Sequence, residues 1–143
     1  AIDIPLVVNG DITSYGDAVA ALGASGADAV MIGRGAQGRP WLPGQIARRL
    51  AGGAAESDPA LDVQLGYLRT LYDDILSHYG SRVGLRHARK HLGWGLEVAE
   101  KGADAGTETL KEWRGKILTS ERPDEVHALL NEAFDAFAGS AAA

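Results

Sequence analysis

The sequence has 143 residues, a formal net charge of −5 and no Cys. This length suffices for one domain or two small ones, and the lack of Cys excludes disulfides, thiolate metal sites and Cys nucleophiles within these residues. No apolar run approaches the roughly 18 residues of a membrane span, and no signal peptide is visible. The lack of Cys fits the cytosol, and we expect a cytoplasmic protein. Because the net charge is negative, any contact with nucleic acid has to come from a local basic patch.

The first 50 residues predict a parallel α/β unit. Residues 5–9 and 29–32 are short apolar runs, which we interpret as strands buried on both faces. Helical spacing of apolar residues follows each run, over 14–23 and again over 40–50. The order strand, helix, strand, helix with short connections is typical of neighbouring parallel strands.

The remaining residues predict a separate helical unit. Residues 51–60 show no periodicity and predict a linker, which leads to a division into 1–52, a linker 53–60 and a helical domain 61–139. Apolar stripes predict the following helices: 61–79, 83–93, 107–118 and a last one beginning at Pro123. We therefore expect α/β plus all-α organisation, with a small bundle of three to four helices in the second half.

Two glycine-containing turns follow the predicted strands: Asn9-Gly10-Asp11 and Gly33-Arg34-Gly35. Both lie at the carboxyl edge of a parallel sheet, where ligands bind, and glycine lets backbone amides approach an anion closely. Arg34 would add a charge-assisted hydrogen bond to a phosphate, and Asn9 offers both a donor and an acceptor. The alternative is that the glycines serve backbone geometry alone. Asp11 either faces a ligand or caps the helix beginning near Thr13.

A single basic cluster lies in the predicted second helix of the bundle. Four cations and no carboxylate occur in residues 82–95: Arg82, Arg86, Arg89 and Lys90. Their spacing of three and four places them on one helix face, which suits a phosphate backbone. The alternative is a solvated face that balances nearby acids such as Asp73, Asp74 and Glu97.

The aromatic residues near this cluster have a structural interpretation. His87 and His91 lie one turn apart, but the Glu of an H-E-x-x-H motif and a third ligand are missing, so we expect no metal site. We expect His87 to pack toward the core and His91 to join the basic face. Trp94 and Trp113 are interpreted as core residues rather than base-stacking platforms.

Four segments carry a resemblance to a known family: residues 4–12, 27–36, 38–41 and 86–94. Their sequences are IPLVVNGDI, ADAVMIGRGA, GRPW and RHARKHLGW. The chain thereby resembles bacterial tRNA-dihydrouridine synthases, flavin enzymes with a barrel followed by a helical domain. The resemblance implies the last two βα units of a TIM barrel and a tRNA-binding bundle, with the other strands expected before Ala1.

The resemblance also implies an activity, which is reduction of the C5–C6 double bond of uridine in tRNA. FMN supplies the hydride, NADPH recharges it, and a Cys acts as general acid. The residues that match the segments holding the flavin phosphate and ribityl chain are Asn9, Gly10, Asp11, Gly33 and Arg34. Arg86, Arg89 and Lys90 match the region facing tRNA, and Arg82 extends the same basic face.

The sequence departs from the family pattern in two respects. It contains no Cys, so we assign no catalytic residue, and these residues alone are expected to be inactive and to hold flavin weakly. Gly95 stands where the family often has an aromatic residue, and we expect it to loosen the end of that helix. The alternative functions are a non-catalytic RNA-binding module and another phosphate-binding barrel enzyme, such as a nucleotide or pyridoxal enzyme.

Overall fold

The computed structural model of the chain describes residues 3–141. These residues divide into two compact units, one up to Asp58 and one from Pro59 onward. The first unit has the predicted order strand, helix, strand, helix, and the second is helical.

The first unit is a pair of parallel strands followed by helices. Strands β1 (Val7–Asn9) and β2 (Ala29–Met31) pair in parallel, with Val8 opposite Val30. Helix α1 (Tyr15–Ser25) connects them, and helix α2 (Leu42–Leu50) follows a single 3-10 turn at Arg34–Ala36. A small core holds this unit together: Ile12, Ala18, Leu42 and Ile46.

The prediction that both strands are buried on both faces is wrong for this structure. Val7 is 54% and Met31 47% exposed, while Val8 and Val30 are half-buried. The reason is that the sheet has two strands among the described residues, and the unit's helices cover only part of its surface. A sequence run reports how apolar a strand is, whereas its burial depends on what packs against it.

Residues 53–60, predicted as a linker, have no regular secondary structure. Their middle portion nevertheless lies along α2. Glu56 accepts two hydrogen bonds from Arg48, both at 2.6 Å, and Asp58 accepts one from the Trp41 indole at 2.8 Å. The Arg48 hydrogen bond also holds the pKa of the Glu56 carboxyl below its ordinary value. These contacts fasten the segment up to Asp58 to the first unit.

The second unit consists of helices α3 (Leu61–Ala103), α4 (Thr107–Thr119) and α5 (Pro123–Ala141). Apolar stripes of all three meet in one core, and its largest fully buried side chains are Tyr72, Leu96, Ile117, Val126, Leu130 and Phe137. Burial raises the pKa of the Tyr72 phenol to about 12. The predicted apolar faces of residues 61–79, α4 and α5 are confirmed, as is Pro123 at the first position of α5. The face predicted for residues 83–93 is confirmed only in part, because Ala88 and Leu92 are buried whereas Val83 is exposed.

Helix α3 reverses direction at Gly80, whose backbone is non-helical (φ 72°, ψ 159°). A Cβ on Gly84 would lie 3.0 Å from the Ile75 carbonyl oxygen, and one on Gly95 would lie 2.8 Å from Leu68 Cδ1. These two close approaches show that residues 61–79 and 81–103 form an antiparallel helical hairpin. The break near Gly80 is therefore confirmed.

The predicted end of the second helix near Gly93 is wrong, because that helix continues to Ala103. Gly95 is buried within it and does not loosen its end. The small residue instead makes room for Leu68, so this glycine serves close packing between two helices.

Candidate functional site

The two glycine-containing turns come together at the carboxyl edge of the strand pair. They line one open depression of about 320 Å³, formed by Asn9, Gly10, Asp11, Ile12, Gly33 and Arg34. All five residues predicted to bind the cofactor are in this set. Their proximity follows from the parallel register, which brings Asn9 opposite Met31 and so aligns the two strand ends.

Gly35 keeps the two turns in contact. A Cβ at this position would lie 2.2 Å from the Ile12 carbonyl oxygen and 3.0 Å from Thr13 Cα. No side chain fits there unless one backbone segment moves away from the other. Sequence reasoning identified Gly35 as part of a turn, but nothing in the sequence shows that another loop lies against it.

Asp11 does not cap α1. The N-cap is Ser14, whose hydroxyl accepts a hydrogen bond from the Asp17 amide at 3.2 Å. The Asp17 carboxylate in turn accepts hydrogen bonds from the Thr13 amide and hydroxyl, which lower its pKa below the ordinary value. This reciprocal capping leaves Asp11 available to the depression.

Within the depression, Asp11 forms an ion pair with Arg34. Both side chains are more than three-quarters exposed, at 79% and 77%. A Cβ on Gly10 or Gly33 would meet no other atom within 4 Å, so open space lies directly beside the backbone. An anionic group has room to approach the main chain here and to reach the Arg34 guanidinium.

The basic cluster lies on the second arm of the α3 hairpin. Arg82, Arg86 and Lys90 are exposed, and Arg89 is half-buried with a buried Nε that lacks a hydrogen-bond partner. Over residues 3–141, none of the four cations forms an ion pair with a carboxylate.

The acids proposed to balance this cluster do not pair with it. Asp73 accepts from His127 Nε2 at 2.7 Å, Glu97 pairs with Arg114, and Asp74 makes no ion pair with the cluster. Over the described residues, the structure thus shows no ion pair between this cluster and the three acids. Three of the cations are exposed and Arg89 is half-buried, and together they form an unpaired basic face.

Comparison with known proteins matches residues 1–138 to the family described as Dihydrouridine synthase (Dus). The chain belongs to the dihydrouridine synthase family.

Individual relatives agree with this assignment. The chain is 47% identical over 137 residues to a "Probable tRNA-dihydrouridine synthase" of Rhizobium leguminosarum bv. phaseoli, covering 94% of this chain and 38% of the relative. It is 43% identical over 140 residues to "tRNA-dihydrouridine synthase B" of Xanthomonas axonopodis pv. citri, covering 95% and 39%. The chain thus spans about two fifths of the length of these dihydrouridine synthases.

The histidines of this dihydrouridine synthase family member are placed opposite to expectation. His87 is exposed, whereas His91 is half-buried and packs edge-on against Trp94, with ring centroids 5.2 Å apart. Burial, followed by electrostatic repulsion from the neighbouring Lys90 and His87, lowers the pKa of His91. The predicted core roles of Trp94 and Trp113 hold in part, because both are half-buried and only Trp113 packs against the central core.

The described residues were also compared with the requirements of a metal site and of a membrane span. In residues 3–141, no group of three or more His, Asp or Glu side chains is arranged to hold a metal ion. Over that range, no helix is long and apolar enough to cross a bilayer.

Proposed function

We propose that this chain is part of an FMN-dependent tRNA-dihydrouridine synthase. The complete protein would reduce the C5–C6 double bond of a uridine in tRNA, with NADPH as the source of reducing equivalents. Membership in the dihydrouridine synthase family and relatives named as tRNA-dihydrouridine synthases support this proposal. In it, the first unit contributes the last two βα units of a TIM barrel, and the helical unit binds tRNA.

The observation that carries the proposal is the depression at the strand ends. Asn9, Gly10, Asp11, Gly33 and Arg34 line open space at the carboxyl edge of neighbouring parallel strands, where barrel enzymes place phosphates. These residues would hold the FMN phosphate and the adjoining ribityl chain. When bound, FMN supplies the hydride for reduction of the uracil ring.

The Asp11 carboxylate offsets the positive charge of Arg34 in this depression. Because Asp11 already pairs with Arg34, an incoming phosphate competes with a carboxylate for the guanidinium. An Asp11→Asn change is expected to free Arg34 and to strengthen phosphate binding. The wild-type residues alone are expected to hold FMN weakly and to show no reductase activity.

The role of Arg34 can be tested by titrating FMN into the purified chain, followed by calorimetry. Removing the guanidinium in Arg34→Gln is expected to lower FMN affinity about tenfold, because one charge-assisted hydrogen bond is lost. The matched control is Arg122→Gln, which removes an exposed arginine near the start of α5. Equal FMN affinity of the wild type and Arg34→Gln would contradict the assignment of this depression.

A second candidate function is RNA binding without catalysis. The unpaired basic face favours it, because Arg82, Arg86, Arg89 and Lys90 lie on a helical unit with its own core. The two functions are distinguished by FMN. A complete protein that binds tRNA but carries no flavin absorbance after purification would support the second candidate and exclude the first.

A further inference from the structure

The turn of the α3 hairpin joins its first arm, residues 61–79, to its second arm, residues 81–103, which carries the basic face and is called the basic arm. Every residue from 77 to 83 is exposed, and we call this segment the hairpin tip. It contains the backbone reversal at Gly80 and an aromatic residue on the turn itself, Tyr79. The side chains of this tip are accessible to solvent.

Tyr79 is held in a defined ring stack although it lies at the surface. Its ring is 4.7 Å from that of His87, with an interplanar angle of 29°. The His78 ring approaches Tyr79 edge-on, at 4.6 Å and 85°. Tyr79 remains 50% exposed, and neither His78 nor His87 is buried. The stack therefore presents aromatic surface to solvent and adds nothing to the helical core.

The basic cluster lies on the same helical arm as His87. Arg82 and Arg86 precede His87 along this arm, and Lys90 follows it by about one turn, with its ammonium 6.0 Å from the Trp94 ring. A helical projection places Arg82, Arg86 and Arg89 in one stripe and His87, Lys90 and Trp94 in the adjacent one. A cationic stripe beside an aromatic stripe is the combination that binds unpaired nucleic acid, through its backbone and its bases respectively.

We infer that the Tyr79–His87 stack is a docking platform for an unpaired nucleobase of the bound RNA. The inference rests on the proposed tRNA-binding function and adds which part of the RNA is recognised. Phosphates adjoining the base lie against Arg82 and Arg86, and the base stacks on the exposed Tyr79 ring. An RNA lacking unpaired bases loses the stacking contribution but keeps the electrostatic one.

The test measures binding of an unmodified tRNA transcript to the chain by fluorescence anisotropy over a range of salt concentrations. Tyr79→Ala is expected to lower the affinity about 5- to 100-fold, because base stacking on an aromatic ring is lost. The slope of log K against log salt is expected to stay unchanged, because no phosphate contact is removed. Tyr79→Phe keeps the ring and is expected to bind as the wild type does.

Tyr67→Ala is the matched control, since Tyr67 lies on the same helix and is exposed to a similar extent, at 47%. It is expected to leave tRNA affinity unchanged. Circular dichroism of each variant shows whether the helices are retained. A fully paired RNA of the same length is the second probe, and Tyr79→Ala is expected to bind it as tightly as the wild type does.

Unchanged tRNA affinity of Tyr79→Ala would overturn the inference, as would a loss of equal size in Tyr79→Phe or on the paired RNA. If Arg86→Glu still weakens tRNA binding in that case, the proposed function survives and only the platform is wrong. If the wild-type chain binds neither RNA, the inference and the tRNA-binding role of the helical unit both fail.

Discussion

Three glycines in the two turns of the first unit show how much a single residue's role depends on its surroundings. Gly10 and Gly33 face open space, where an anion can approach the backbone, whereas Gly35 is in near contact with the Ile12 carbonyl. The first two create room for a ligand, and the third holds the turns at the correct separation. The shape of the depression therefore depends on a residue that does not line it.

Substitution of Gly35 is expected to damage the depression more than any change of charge there. In Gly35→Ala, a Cβ 2.2 Å from the Ile12 carbonyl oxygen forces the turns apart, which is expected to cost about 1–3 kcal/mol in the free energy of unfolding. Thermal and urea unfolding of the chain measure this effect.

Gly23→Ala is the control for that substitution. Gly23 lies inside α1, and its Cβ would meet nothing within 4 Å, so a neutral or slightly stabilising effect is expected. Equal stabilities of the two variants would show that Gly35 is not in close contact with the Ile12 carbonyl.

At the scale of elements, the α3 hairpin organises the helical unit. Gly80 makes the reversal, Gly84 allows the arms to meet beside it, and Gly95 seats Leu68 farther along. The hairpin places the basic arm next to α4, where Arg114 donates to the Gly93 carbonyl at 3.0 Å and pairs with Glu97. Glu97, an acidic residue of the basic arm, is therefore paired with Arg114 and not with one of the four cations of the basic face.

The backbone at Gly80 (φ 72°, ψ 159°) lies in a region that essentially only glycine occupies. Gly80→Ala is therefore expected to lower the free energy of unfolding by about 1–3 kcal/mol. Gly66→Ala, in the same helix with helical backbone and open space around its Cβ, is expected to stabilise by about 0.5–1 kcal/mol. Opposite signs in denaturant titrations would support the hairpin, and a stabilising Gly80→Ala would exclude it.

At the scale of the whole molecule, charge is segregated along the chain. The net charge is −5, yet residues 82–95 carry four cations without a carboxylate, and residues from Glu121 onward carry five carboxylates against one arginine. A nucleic acid is therefore attracted to one face and repelled by the acidic helix. Salt screens both effects, so affinity for tRNA is expected to fall steeply as salt increases.

Charge-reversal variants distinguish the contribution of the basic face to tRNA binding from that of the net charge of the chain. Arg86→Glu and Lys90→Glu are each expected to weaken tRNA binding and to reduce the slope of log K against log salt by about 0.7–0.9. Arg122→Glu changes the net charge by the same amount in the acidic segment and serves as the control. Anisotropy titrations in which all three variants weaken binding equally would show that net charge, and not this face, governs the interaction.

The local pattern of residue types in the sequence determined the secondary structure and the residues of both candidate binding surfaces. Apolar periodicity predicted the order of the helices and most of their bounds, although not the end of the second arm of α3. Glycine-containing turns after apolar runs predicted five of the six residues that line the depression. The four cations were predicted to share one helix face, and their unpaired state became visible only in the structure. These features depend on spacing along one element, which the sequence contains in full.

Tertiary structure decided the features that require a partner. The strands are exposed because few elements cover them, and Gly95 lies inside a helix because Leu68 packs on it. His91, not His87, turns inward, since the hairpin and α4 determine which side of the second arm is covered. Spacing places residues on a face of a helix or strand, but only the surrounding elements determine whether that face is buried.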